Sequence, residues 1–176
     1  MPSLTLQQLD EIQSIYSYNI NQSFIETGTY MGATIDNLKD FFENIYTIEL
    51  NKNLFLYSKK KFQNNNNIKC IQGNSSEQLE LILNNHNQDT IFFLDGHWSG
   101  GETSKGPEDV PLLKELQIIN KYFKNRGIII IDDLRLFGTN NNEDWTNITK
   151  KNILSSIDNI KFSLTLTKYD KFIIYI

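Results

Sequence analysis

Five short apolar runs recur along this chain, at Phe24–Thr27, Ile45–Glu49, Ile68–Gln72, Thr90–Leu94 and Gly127–Ile131. Each is rich in β-branched or aromatic residues. Runs of this kind fit strands buried on both faces of a parallel sheet. Helical stretches separate them. Thr34–Phe42 sets Ile35, Leu38, Phe41 and Phe42 on one side, and Asn53–Phe62 carries Leu54, Leu56, Tyr57 and Phe62. Ser76–Leu83 carries Leu79, Ile82 and Leu83, and Asp109–Phe123 spaces Leu112, Leu113, Leu116, Ile119 and Tyr122 as a helix face. Such alternation makes βαβ units, with helices on both faces of the sheet.

The end of the chain departs from the pattern. After a helix near Trp145–Ile157 come the runs Lys161–Thr167 and Lys171–Ile176, joined only by Lys168-Tyr169-Asp170. A parallel return needs a dozen or more residues, so these two must form an antiparallel hairpin. At the other end, Leu4–Tyr18 reads as an amphipathic helix using Leu4, Leu9, Ile12, Ile15 and Tyr16. Two readings of it stay open: it covers an edge of the core, or it borders the substrate pocket or a homodimer interface. With 176 residues, the chain is expected to form one domain, residues 1–176, with the helix inside 1–22 and the core in 23–176.

Composition excludes several partner classes. The net charge of -4 argues against a broad basic face for nucleic acid. Lys59, Lys60 and Lys61 read as the solvated face of a helix. Cys70 is the single cysteine, so no internal disulfide forms. Met1–Asp10 lacks the basic start and apolar stretch of a signal peptide, and no run approaches the ~20 apolar residues of a membrane span. A cytoplasmic protein is the expectation.

The first strand runs into Glu26-Thr27-Gly28-Thr29-Tyr30-Met31-Gly32. In open α/β sheets ligands bind beyond the carboxyl ends of the strands. Gly28 can take a positive φ and let a ligand approach the backbone. A dinucleotide fingerprint would need a glycine at Tyr30, and a phosphate loop would need Gly-Lys-Ser/Thr. Neither is present, and no Lys or Arg occurs from Ser23 to Asn37. An acidic strand end at Glu26 suits a ligand carrying ammonium and sulfonium groups better than a pyrophosphate. Glu49 ends the second strand, where a carboxylate can accept two ribose hydroxyls. The third ends in Gly73-Asn74-Ser75, where Asn74 can meet an adenine edge or cap the next helix.

The order Glu26-x-Gly28-x-x-x-Gly32, Glu49, Gly73-Asn74, Asp95 and a closing hairpin resembles a class I S-adenosylmethionine-dependent methyltransferase over nearly the whole chain. The resemblance implies a Rossmann-like α/β sandwich with sheet order 3-2-1-4-5-7-6 and the last strand antiparallel. It implies cofactor contacts at Glu26, Thr27, Gly28, Thr29, Tyr30, Gly32, Glu49, Leu50, Gly73, Asn74, Ser75 and Asp95. Asn74 departs from the acidic residue often found there, though its carbonyl can still accept from the adenine amino group.

The fourth strand ends in Asp95-Gly96-His97-Trp98 and the fifth in Asp132-Asp133, which brings three carboxylates to one rim. Oxygen ligands favour Mg²⁺, Mn²⁺ or Ca²⁺. The pattern is similar to metal-dependent O-methyltransferases, including those acting on sugars in antibiotic pathways. That resemblance implies Asp95, Asp132 and Asp133 as Mg²⁺ ligands. It departs at the base: those relatives carry Lys or His where this chain has Trp98. His97 is then the candidate base, as a neutral imidazole. The glycine-rich loop from Trp98 to Pro107 reads as a substrate lid or a plain surface loop. Trp98 would stack on a sugar ring, and Lys105 and Arg135 are further substrate candidates. The expected acceptor is a hydroxyl of a sugar or sugar nucleotide. A phenolic or nitrogen acceptor, or a non-catalytic cofactor-binding subunit, are the rivals.

Overall fold

The computed structural model describes residues 3–97, 110–140, 143–158 and 162–176. In chain order its elements are α1 (Leu6–Ile15), β1 (Ser23–Thr27), α2 (Ala33–Leu38), β2 (Asn44–Glu49), α3 (Lys52–Lys61), β3 (Ile68–Gln72) and α4 (Ser75–Leu83). There follow β4 (Thr90–Leu94), α5 (Leu112–Tyr122), β5 (Gly127–Ile131), α6 (Lys150–Ser155), β6 (Leu164–Lys168) and β7 (Lys171–Tyr175). The strands form one sheet in the order β3-β2-β1-β4-β5-β7-β6. β7 runs antiparallel to both of its neighbours, and the other pairings are parallel. Order and hairpin are those expected from the sequence.

Alternation along the central strands sorts their side chains into two cores. Phe24, Ile91, Phe93, Ile128, Ile130, Ile173 and Tyr175 face one side and meet α1 and α2 through Leu9, Ile12, Ile35 and Leu38. Ile25, Phe92, Leu94, Ile129, Ile131, Phe172 and Ile174 face the other and meet α4, α5 and α6 through Leu79, Leu116, Ile119 and Ile153. These strands are buried on both faces, and full burial of each such side chain contributes about 1.5–3 kcal/mol. The chain changes face between β3 and β4, so the carboxyl ends of β1 and β4 flank the switch point where ligands bind.

α1 begins with a reciprocal cap: Thr5 Oγ1 accepts from the Gln8 amide, and Gln8 Oε1 accepts from the Thr5 amide. It lies over β7, whose buried Tyr175 hydroxyl donates to the Ile12 carbonyl at 2.7 Å. Its entry is tied to α2 by the Ser3 amide on Thr34 Oγ1 and the Leu6 amide on Asn37 Oδ1. The helix therefore covers the core, and its start lies beside the rim described below.

Two boundaries differ clearly from the sequence expectation. α2 stops at Leu38 rather than Phe42, because Asn67 Nδ2 donates to the carbonyls of Lys39 and Phe42 and replaces helical bonding there. Phe42 stays buried, its ring centroid 5.1 Å from that of Phe24. α6 starts at Lys150, capped by Thr149, while Trp145–Thr149 is a turn. The expected starts at Asp109 and Lys161 lie outside the described residues. Among the described residues no helix is long and apolar enough to cross a membrane.

Candidate active site

The turn after β1 is built around Gly28. Its φ is +83°, and a Cβ there would stand 2.4 Å from the Asp95 carbonyl oxygen. The first turn and the end of β4 therefore touch, and only glycine permits it. Tyr30, at the position where a dinucleotide loop would carry glycine, adopts φ +47° with a full side chain. Two contacts hold it: its amide donates to Glu49 Oε2 at 2.8 Å, and its carbonyl accepts from the Ser58 hydroxyl. Lys61 closes the turn from α3, donating to the carbonyls of Met31 and Gly32 and pairing with Asp36 at 2.5 Å. Of the lysine run read as a solvated face, Lys61 is thus part of the turn.

Glu26 points into the protein. It is 1% exposed, and its Oε2 accepts from Thr47 Oγ1, which in turn accepts from Thr29 Oγ1. Burial lifts its pKa well above the ordinary carboxylate value, against the Thr47 bond and with help from Asp95 and Glu49. Its carboxyl organises the floor of the turn. Glu49 is buried at the end of β2. Its Oε1 accepts the Asn51 amide at 2.8 Å while Oε2 holds Tyr30. Burial raises its pKa and these backbone bonds oppose the rise. The Leu50 and Thr29 amides add to the bonds that favour its charged form. At the end of β3, Asn74 caps α4: its Oδ1 accepts from the Ser76 amide at 3.0 Å and the Ser76 hydroxyl at 2.6 Å. Leu50 and Gly73 flank the same edge, and Gly73 takes φ +146°. The Gly28 turn packed on the end of β4, with the Glu49 carboxylate beside it, is a set of groups that fits an adenosyl ligand.

The acidic rim forms, with changed membership. Ligand atoms of Asp95, His97 and Asp133 lie within 4.8 Å of one another. Asp132, expected as the third carboxylate, is held apart: its Oδ1 accepts from Lys171 Nζ at 2.7 Å, and Lys171 is 4% exposed. A buried ammonium needs a counter-charge, and the first residue of β7 lies beside the end of β5 in the antiparallel β5–β7 pairing. Asp133 takes a left-handed conformation at φ 56°, ψ 42°, which turns its side chain toward His97. Arg135, expected at the substrate, pairs with Asp133 at 2.5 Å and with Asp170 while remaining 61% exposed.

His97 corrects a second expectation. Its Nε2 lies 2.7 Å from Asp133 Oδ2 and 3.6 Å from Asp95 Oδ1, and its Nδ1 lies 2.8 Å from Glu143 Oε2. Burial alone would lower its pKa, but the bond to Asp133 and the charges of Asp95 and Glu143 outweigh it and raise the value to about 9. This favours the protonated ring at neutral pH, whereas the sequence suggested a neutral imidazole as base. The Asp95 pKa is raised too. Burial, reinforced by Asp132, raises it to about 7, with His97 and the nearby Ser3 opposing.

Three further residues complete the site. Glu143 Oε2 also accepts from Trp145 Nε1 at 2.8 Å, which fixes the carboxylate behind His97. Glu115 of α5 is 1% exposed and lines one cleft with Asp95, Gly96, His97, Val110 and Trp145. Burial raises its pKa to about 7. A carboxylate in the apolar stripe Leu112–Leu116–Ile119 was the available sequence signal for Glu115. Glu143 sits in a polar run that gave none. Trp98 and Lys105 lie outside the described residues.

No protein-family profile matches the chain, and no curated protein matches its sequence. Solved structures do match its fold. The O-methyltransferase from Bacillus cereus, determined in complex with SAH, superposes with a TM-score of 0.64 at 14% identity, covering 98% of this chain and 81% of that one. A protein assigned as a caffeoyl-CoA O-methyltransferase from Staphylococcus aureus gives 0.61 at 21% identity, covering 98% and 83%. A protein assigned as a methyltransferase from Streptococcus mutans, in complex with SAH, gives 0.57 at 12% identity, covering 95% of each chain. With these likenesses and its strand order, the chain has the Rossmann-like methyltransferase fold.

Proposed function

We propose that the chain is an S-adenosylmethionine-dependent O-methyltransferase whose acceptor is a hydroxyl of a sugar or sugar nucleotide. The observation that carries the reading is the contact of Gly28 with the Asp95 backbone, which joins an adenosyl-type turn to an acidic rim. S-adenosylmethionine supplies an electrophilic methyl group. Glu49 binds the ribose hydroxyls, and the Gly28 turn keeps the backbone low enough for the ligand to reach the rim. Asp95, with its pKa near 7, accepts the acceptor's hydroxyl proton as the new oxygen–carbon bond forms. His97 holds Asp133 and sets a positive charge 3.6 Å from the Asp95 carboxylate that takes up the proton. The exposed Arg135 suits a phosphate-bearing acceptor such as a sugar nucleotide.

Asp132, expected in the all-oxygen Mg²⁺ set, is engaged through Oδ1 by Lys171. Asp95, His97 and Asp133 could hold a divalent cation only after His97 loses its shared proton, so no step here is routed through one. Nitrogen in the donor set would favour Mn²⁺ or Zn²⁺ over Mg²⁺.

The test is transfer of a labelled methyl group to sugars, sugar nucleotides, phenols and amines, with EDTA or with added Mg²⁺ or Mn²⁺. Turnover on a sugar-type hydroxyl that survives EDTA is expected. Loss in EDTA restored by a metal would assign Asp95, His97 and Asp133 as ligands. Phenols belong in the panel because of the likeness to a protein assigned as a caffeoyl-CoA O-methyltransferase. The Asp95→Asn variant should lose at least about 10²-fold in kcat and bind SAH nearly as well as wild type. Normal turnover by that variant sinks the assignment of Asp95.

A further inference from the structure

We propose that Glu115 is the acceptor for the exocyclic amino group of the cofactor's adenine, an inference that rests on the adenosyl reading above. The sequence pointed to Asn74 for that bond. In the structure the Asn74 side-chain oxygen already accepts twice from Ser76, so it is committed to the α4 cap. The acceptor has to come from elsewhere.

Glu115 Oε1 is buried and has no hydrogen-bond partner among the described residues. Its Oε2 receives a long bond, 3.5 Å, from Thr27 Oγ1, and the Ser75 side chain also bonds the carboxyl. Nearly all buried polar atoms in folded proteins are paired, so an orphaned carboxylate oxygen points to a missing donor. Ser23 Oγ is the other such atom among the described residues, and it lies at the opposite end of β1.

The position selects the donor. Thr27 at the end of β1 bonds the carboxyl, and Ser75, the first residue of α4, lies close enough to favour its charged form. Gly96, after β4, packs close to Oε1: a Cβ there would stand 3.2 Å from it, and the two residues line one cleft. The carboxyl thus sits where β1, β4 and the β3–α4 turn converge, the edge at which a base would lie once Glu49 holds its ribose. Above its pKa of about 7 the carboxyl is ionised and Oε1 can only accept, so at about pH 8 it requires an N–H or O–H group. An adenine amino group offers two N–H bonds, and a base with a carbonyl at the same carbon offers none.

Calorimetric titration with SAH and with S-inosylhomocysteine, which carries that carbonyl, tests the assignment. Wild-type protein should bind SAH at least about tenfold more tightly. Glu115→Leu, checked for cooperative thermal unfolding, should bind the two within about twofold. Should Glu115→Leu not fold, Glu115→Gln serves: its neutral amide should narrow the ratio severalfold. An unchanged ratio in a folded variant overturns the role of Glu115 and leaves the adenosyl reading standing. Failure of wild type to bind SAH at all overturns both.

Discussion

Gly28 and Lys171 bear the heaviest local constraints at the site, for different physical reasons. An alanine at Gly28 meets two penalties: φ +83° is a left-handed conformation, and its methyl would stand 2.4 Å from the Asp95 carbonyl oxygen. The first costs about 1–2 kcal/mol and the second about 1–3 kcal/mol. Gly28→Ala should therefore lose roughly 2–5 kcal/mol in urea unfolding, with SAH binding weakened even where the fold survives. Lys171 is constrained by charge. Removing it as Lys171→Met leaves Asp132 buried and unpaired, at roughly 3–5 kcal/mol. Lys171→Met combined with Asp132→Asn should recover most of that loss, because the uncompensated charge goes too. A double variant no more stable than Lys171→Met would mean that the lysine acts through packing and not through the ion pair.

At the scale of elements, the hairpin fastens the N-terminal helix. Tyr175 of β7 donates to the Ile12 carbonyl in a buried setting, and Lys168 and Tyr169 reach Glu11 from the tip. Tyr175→Phe should cost about 1 kcal/mol, read as a lowered urea midpoint with an unchanged slope. A change in slope would point instead to partial release of α1. The strands were legible because burial on both faces leaves a continuous apolar run, and the hairpin because its connection is too short for anything else. The end of α2 was not, because Asn67, far along the chain, bonds its last carbonyls. The site divides the same way. Residues at strand ends, namely Gly28, Glu49, Asp95 and Asp133, could be read from position alone. Their partners, Lys171 on Asp132 and Glu143 on His97, come from segments joined only by the closed sheet, and pairing decides which carboxylate stays free.

Across the whole molecule, burial of acidic groups around one rim gives stability a definite dependence on pH. Glu115 has a pKa of about 7 in the fold against an ordinary 4.5, and Asp95 about 7 against 3.8. Between those limits the folded chain holds protons that the unfolded chain has released, so stability falls as pH rises through the interval. His97, raised to about 9 from 6.5, extends the fall with the same sign at higher pH. Asp133 and Asp36 have lowered pKa values, so their contribution grows as pH rises from the acid side through their ordinary values and is complete before neutrality. The net expectation is a Tm that declines from about pH 5 to pH 7 and continues down toward pH 9. Glu115→Gln cannot ionise, so it should remove the Glu115 share, which sets in above pH 4.5 and saturates near 7 at roughly 3 kcal/mol. A thermal-unfolding series over that range, wild type against variant, separates this origin from the rest. Parallel curves would show that Glu115 keeps its ordinary ionisation and that the slope arises at the other raised groups, Asp95, His97, Glu26, Glu49 and Asp132, while convergence toward high acidity with divergence near pH 7 would locate the lost protons at the orphaned carboxyl of Glu115.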